Sequence, residues 1–301
     1  MSHLAIKLPV TLRFDSGVLA LIATLLIWAS YFVALRAGAT SALTSYDMAI
    51  LRFMLPALLL LPVLYRGRAQ IRAVKKRYLL GIACGAGLPF YLFSVLASGH
   101  VQAVVGSLLV PGVAPLFVTA MAVLCYREPL AKRKVIGLSI VLLGIAVLVS
   151  ASLGQGTGSS YLGCILYVVA ALCWAVYTVS VRLAKLSGLQ VAAVLNVSAA
   201  ALLALGLPFE LAPSHLTSVS VEVILPQLMI MGLCCGLISV VTYGHAINRL
   251  GAELSICWGA TTPIIVAMLA YSILGETLDL QTLLAMAGIL LGVVCANRPK
   301  R

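Results

Sequence analysis

Arg52 is the residue best placed to do chemistry in this chain, because it sits well inside an apolar stretch where charge is expensive. Facing lipid at mid-membrane, it would cost about 2.5–3.5 kcal/mol, so it must face protein or a cavity. Two roles stay open for it: a clamp on backbone carbonyls and hydroxyls, or a positive charge offered to a solute carboxylate. Asp47 lies five residues earlier, about 140° round a helix, so Arg36 is the expected partner of that acid. No acid falls at a bilayer midplane. In a carrier this would favour uniport or exchange, with His245 and Glu253 as the groups that could couple a proton.

The second set of candidates is aromatic. Trp28 and Tyr31 fall near the middle of one apolar stretch and Phe90 and Tyr91 near the middle of another; Trp174 and Tyr177, Tyr243, and Trp258 lie on three further ones. All three tryptophans sit towards mid-depth, whereas membrane Trp and Tyr favour the interfaces. Singly each can be packing; together they suggest an aromatic cavity. Ser107, Pro111, Ala114 and Pro115 fall on one helical stripe, and Trp258, Thr261 and Thr262 form another. Pro111, Pro115 and Pro263 each free a carbonyl that a neighbour, water or ligand must satisfy. The alternative for these stripes is two kinked helices without a ligand. Glu128 and Glu276 read as caps on the helices that follow them.

Membrane helices must position these residues. The chain has 301 residues, 62% hydrophobic and 9% charged. Soluble domains carry roughly 25% charged residues, and the mean hydropathy of this chain is +1.14. Ten apolar stretches long enough to span can be marked. They run 17–36, 46–65, 78–97, 101–125, 135–152, 161–181, 189–207, 223–246, 252–274 and 281–297. The net charge of +12 does not indicate nucleic acid, since 18 of 20 basic residues fall in alternate loops and at both ends. That bias places both termini in the cytoplasm. The eight cysteines show no metal-binding spacing and read as packing residues.

The pattern occurs twice. Trp28-Ala29-Ser30-Tyr31 and Arg36 recur at an offset of 146 as Trp174-Ala175-Val176-Tyr177 and Arg182. Pro115, Glu128 and Leu143-Gly144 recur at an offset of 148 as Pro263, Glu276 and Leu291-Gly292. Each half holds an odd number of spans, so the second is expected upside down. The expected layout is an N-terminal segment 1–16, a first repeat 17–152, a linker 153–160, a second repeat 161–297 and a tail 298–301.

With Trp28…Tyr31, Leu51-Arg52-Phe53 and Leu274-Gly275-Glu276-Thr277-Leu278, the chain resembles the drug/metabolite transporter superfamily in its EamA-type branch. The first-half copy, Arg127-Glu128-Pro129-Leu130, lacks the usual Gly before the Glu. The resemblance implies an all-α integral membrane protein of two five-helix repeats in the plasma membrane (the bacterial inner membrane). It also implies efflux of small metabolites. An aromatic cavity with one arginine suits aromatic or apolar amino acids moving outward by alternating access.

A drug or nucleotide-sugar carrier is the alternative, and a passive channel or scaffold the non-carrier one. H-E-x-x-H, a paired intramembrane aspartate and a G-x-x-x-x-G-K-[ST] loop are all lacking, so neither catalysis nor ATP hydrolysis is expected. No cofactor or metal is expected. The expected partners are a small-molecule solute and the lipid bilayer, with the monomer as working unit and a dimer as the other option.

Overall fold

The computed structural model describes residues 15–127, 130–154, 158–206, 213–251, 255 and 258–297, and among these every regular element is helical. In chain order they are α1 (Ser16–Ala39), α2 (Ser45–Arg66), α3 (Arg68–Ala73), α4 (Lys76–Gly85), α5 (Leu88–Ser98), α6 (Ala103–Tyr126) and α7 (Lys132–Gly154). There follow α8 (Gly158–Ala184), α9 (Gly188–Gly206), α10 (Val221–Gln227), a π segment (Leu228–Ile238), α11 (Ser239–Leu250), α12 (Thr262–Leu274) and α13 (Leu280–Asn297). Eight helical columns among the described residues are long and apolar enough to cross a membrane, and α12 and α13 are shorter apolar helices. Exposed Leu58, Leu143, Leu205, Met268 and Leu291 give the bundle the apolar outer surface that lipid requires.

Local chemistry sets the helix ends. Asp15 accepts the Gly17 N–H at 2.9 Å and caps α1. Thr44 and Asp47 form a reciprocal capping box on α2. The stretch 78–97, read from sequence as one helix, breaks between α4 and α5. A Cβ on Gly87 would sit 1.9 Å from the Ala83 carbonyl oxygen, and Pro89 starts the new helix. Gly275 takes a left-handed conformation that ends α12. Arg127 stands at the corresponding place after α6 and adopts the same conformation at φ 52°. A side chain there costs roughly 1 kcal/mol relative to Gly, which is why the motif calls for glycine.

The bundle's packing repeats its sequence. α8 packs on α4, α5 and α6, while its counterpart α1 packs on α11, the π segment and α12. Equivalent helices also pack on each other, α2 with α9 and α7 with α13, and α2 packs on the π segment as well. A Cβ on Gly144 would meet Ile289 at 2.8 Å and the Ala285 carbonyl oxygen at 3.1 Å. One on Gly292 would meet Val141 and the Gly137 carbonyl oxygen, both at 2.7 Å. Subtracting the repeat offset of 148 turns Ile289 into Val141 and Ala285 into Gly137. The same surface therefore meets itself, as in an isologous interface. Gly137 faces Ala296 while Gly144 faces Ile289, so these two equivalent helices run antiparallel. α2 and α9 do likewise, with Tyr46 on Leu203, Arg52 on Asn196 and Gly67 on Gln190.

Candidate functional site

Three aromatic groups assemble from the candidates. Trp28 lies 4.8 Å from Tyr243, centroid to centroid, and a Cβ on Gly259 would be 3.9 Å from the Trp28 ring. Trp174 lies 5.2 Å from Phe90 and 5.1 Å from Tyr177. Each repeated tryptophan thus stacks on an aromatic ring of the other half. The third group centres on Arg52, whose Nη1 donates to Asn196 Oδ1 at 3.3 Å and whose guanidinium lies 5.0 Å from the Phe53 ring centre. Tyr91 lies 5.3 Å from the Phe53 ring, edge-on, and Gly236 brings the π segment, with Cys235 beside it on the Ile27 carbonyl, against the guanidinium.

Several candidates spend their hydroxyls on backbone carbonyls, Tyr91 on another helix and the others on their own. Tyr91 is fully buried, edge-on to Phe53, and donates to the Met48 carbonyl at 3.1 Å. Ser107 is buried and donates to Val104, and the Thr261 and Thr262 hydroxyls donate to the carbonyls of Trp258 and Gly259. These close local turns. His245 is exposed and shares a 3.0 Å hydrogen bond with Ser16; Glu253 lies outside the described residues.

Exposure shows where the interior opens. On α8, Leu172 and Val176 are exposed with the outer, apolar face. Trp174 is also 36% exposed and Thr178 is exposed, yet Trp174 lies about 200° round the helix from Leu172. Nearer the start of α8, that inner face is closed, with Cys164, Tyr167, Ala170 and Ala171 buried. α6 behaves the same way. Pro111 is exposed about 180° from exposed Ala120, whereas Val104 and Ser107 before it are buried; Pro115 is half-buried. Gly163 packs against His100 and Gly106 against Tyr167, so Pro111 and Trp174 stand at one level. The interior is shut towards the Arg36 end and opens from mid-depth towards the Lys185 end. A groove of about 690 Å³ lies at that end, lined by Gln70, Lys75, Tyr78, Lys185 and Gln190.

What shuts the other end differs from the sequence expectation. Arg36 does not pair with Asp47: its Nε meets Glu276 at 3.0 Å and its Nη1 donates to the Ser98 carbonyl at 2.6 Å. Asp47 accepts instead from Thr44, Ser214 and the His215 N–H. Glu276 does cap a helix, though not the one it precedes. Its second oxygen accepts the Ala103 N–H at 2.9 Å, at the start of α6. Asp279 caps α13 by accepting from Thr282 at 2.7 Å, and those hydrogen bonds hold its carboxyl below the usual range. Gln102 adds a bond to the Thr277 carbonyl. One charged knot therefore joins α1, α5, α6 and the α12–α13 turn.

Two features escaped the sequence reading. Asn196, 1% exposed in the middle of α9, gives its amide hydrogens to the carbonyls of Ala192 and Gly236 and its oxygen to Arg52. A lone asparagine within an apolar span was the available signal. The π segment begins two residues after Pro226 and brings Gly232 and Gly236 against α2 beside Arg52. Such irregular turns recur at functional sites.

The EamA-like transporter family model matches residues 15–150 and again 161–298. A curated relative from Streptantibioticus cattleyicolor, described as a probable terminal-alkyne amino-acid exporter, is 28% identical over 303 residues, covering 95% of each chain. A protein solved by crystallography superposes with a TM-score of 0.61 at 21% identity, over 93% of this chain and 96% of that one. At that identity the likeness concerns the fold. Its helices span a membrane repeatedly, and the chain belongs to the EamA-like transporter family.

Proposed function

We propose that this protein is a secondary carrier that moves small organic metabolites, chiefly amino acids with apolar or aromatic side chains, out of the cell. It works from the plasma membrane as a uniporter or exchanger. In this reading ten helices span the membrane as two halves of opposite orientation, with both termini in the cytoplasm. The antiparallel pairing of equivalent helices supports that arrangement, as does the clustering of basic residues in alternate loops. The Lys185 end is then cytoplasmic and the Arg36 end outside.

The observation that carries the function is the one-sided opening at Pro111 and Trp174. A closed outer end above an aromatic interior open to the cytoplasm is the loading state of an exporter. Release outward requires the Arg36–Glu276 knot to part. The exporter relative supports amino acids as the solute class.

Proteoliposomes preloaded with a panel of amino acids, nucleosides and cationic drugs test this. Release of the aromatic and apolar amino acids faster than from empty-membrane controls is expected; leakage no faster for any solute defeats the proposal.

A further inference from the structure

A guanidinium offers five N–H donors in a plane. Arg52 uses one of them, on Asn196 at 3.3 Å, and rests over Phe53. No acid among the described residues pairs with it, since Asp47 is engaged by Thr44, Ser214 and His215, and Glu276 by Arg36 and Ala103. The Tyr31 hydroxyl is shut off from solvent and closes no full hydrogen bond, although Ser94, whose own hydroxyl donates to Phe90, lies near it. The π segment links it to Arg52: Cys235 reaches the Ile27 carbonyl one turn before Tyr31, and the next residue, Gly236, lies against the guanidinium. Buried polar groups seldom go unpaired, and each lost bond costs about 1–3 kcal/mol. Two donors on adjacent helices thus share one need for an acceptor.

We propose that the acceptor is the carboxylate of the transported solute, held by the Arg52 guanidinium in a paired bond and by the Tyr31 hydroxyl as a further donor. This rests on the carrier reading above and adds the group by which the solute is recognised. The surroundings hold Arg52 for such a task. Asn196 is anchored by its own amide to two carbonyls, so its oxygen fixes one edge of the guanidinium. Gly236 leaves the space, because a Cβ there would stand 3.0 Å from Arg52 Nη1 and 2.7 Å from Pro56 Cγ. The aromatic rings of Trp174, Tyr177 and Phe90 then supply an apolar surface for the rest of the solute. A cation lacking a carboxylate meets repulsion from Arg52. A neutral amide of the same shape presents an N–H where the site presents donors. The site selects carboxylates.

Vesicles carrying the full-length protein are loaded with phenylalanine or leucine, or with their neutral-headed counterparts phenylalaninamide and leucinamide. Wild type should release the acids at least tenfold faster than the amides. Arg52→Gln should bring that ratio near one, and Arg52→Lys should restore part of it. Tyr31→Phe removes a hydroxyl that closes no full hydrogen bond within the protein, Ser94 being near it but already donating to Phe90. It should therefore fold as well as wild type while slowing the acids several-fold and leaving the amides unchanged. Equal release of acids and amides by wild type overturns the carboxylate site and leaves the carrier standing. So does equal slowing of both by Tyr31→Phe. Release of no solute at all overturns both.

Discussion

Arg36 and Arg52 sit on neighbouring helices of one half, and the protein treats them oppositely. Arg36 has a carboxylate on one nitrogen and a backbone carbonyl on another. It ties together segments as far apart in sequence as residues 36 and 276. Arg52 has one long hydrogen bond and a ring face. The difference separates a charge used to close the molecule from a charge kept for something the chain does not itself contain. A partly buried cation paired with a carboxylate gives stability through its partner; one left without an acid gives up stability to bind.

The comparison breaks most visibly at Glu276. Glu276→Gln should free the outer ends of α1, α5 and α6. In a background with the native cysteines replaced, Ser98→Cys, buried in this state, should go from unlabelled to readily labelled by a membrane-impermeant maleimide. Continued protection would mean that the knot is not what closes this end.

Stability separates the two arginines next. Arg36→Gln should lower the unfolding free energy by about 2–4 kcal/mol, because it strands a carboxylate whose side chain is only 10% exposed. Arg52→Gln should change it by less than about 1 kcal/mol. Similar losses in denaturant titrations would erase the distinction.

Gly236→Ala sharpens it further. Crowding Arg52 and Pro56 should cost about 1–3 kcal/mol and slow transport several-fold. Gly244→Ala, on the next helical stretch with nothing within 4 Å, should leave transport intact. The smallest effect is expected at Asp279. Its depressed carboxyl contributes stability above the unfolded pKa of about 3.9 and loses it as pH falls further. Asp279→Ala should therefore lower the melting temperature by about 2 °C at pH 7, with the gap narrowing towards pH 3.

The sequence carried much of this fold because lipid imposes simple demands: long apolar runs, basic loops and paired backbone groups. The repeat offset of 148 even anticipates which residues meet across α7 and α13. Partner choice was harder. Asp47 is nearer to Arg36 in sequence than Glu276, and no periodicity decides between acids that come together only on folding. The Thr44-x-x-Asp47 pattern was the overlooked hint, since a carboxylate committed to a capping box is poorly free to pair. Gly87-Leu88-Pro89 likewise signalled a break read as continuous helix. The π segment left no pattern in composition, because its residues are as apolar as those of any α-helical span. Among the site candidates, sequence located the aromatic rings, but it could not show that the Tyr91 hydroxyl spends itself on Met48 while that of Tyr31 closes no full hydrogen bond.

The self-complementary seam between α7 and α13 has a consequence for the chain as a whole. Such a surface would join two copies of a half-length protein as well as it joins two halves of this one. The covalent link between the halves then acts mainly as a tether, raising the effective concentration of each half for the other. Cut there and made as two pieces in one membrane, the halves should still find each other. The molecule behaves as a dimer whose subunits happen to share a backbone.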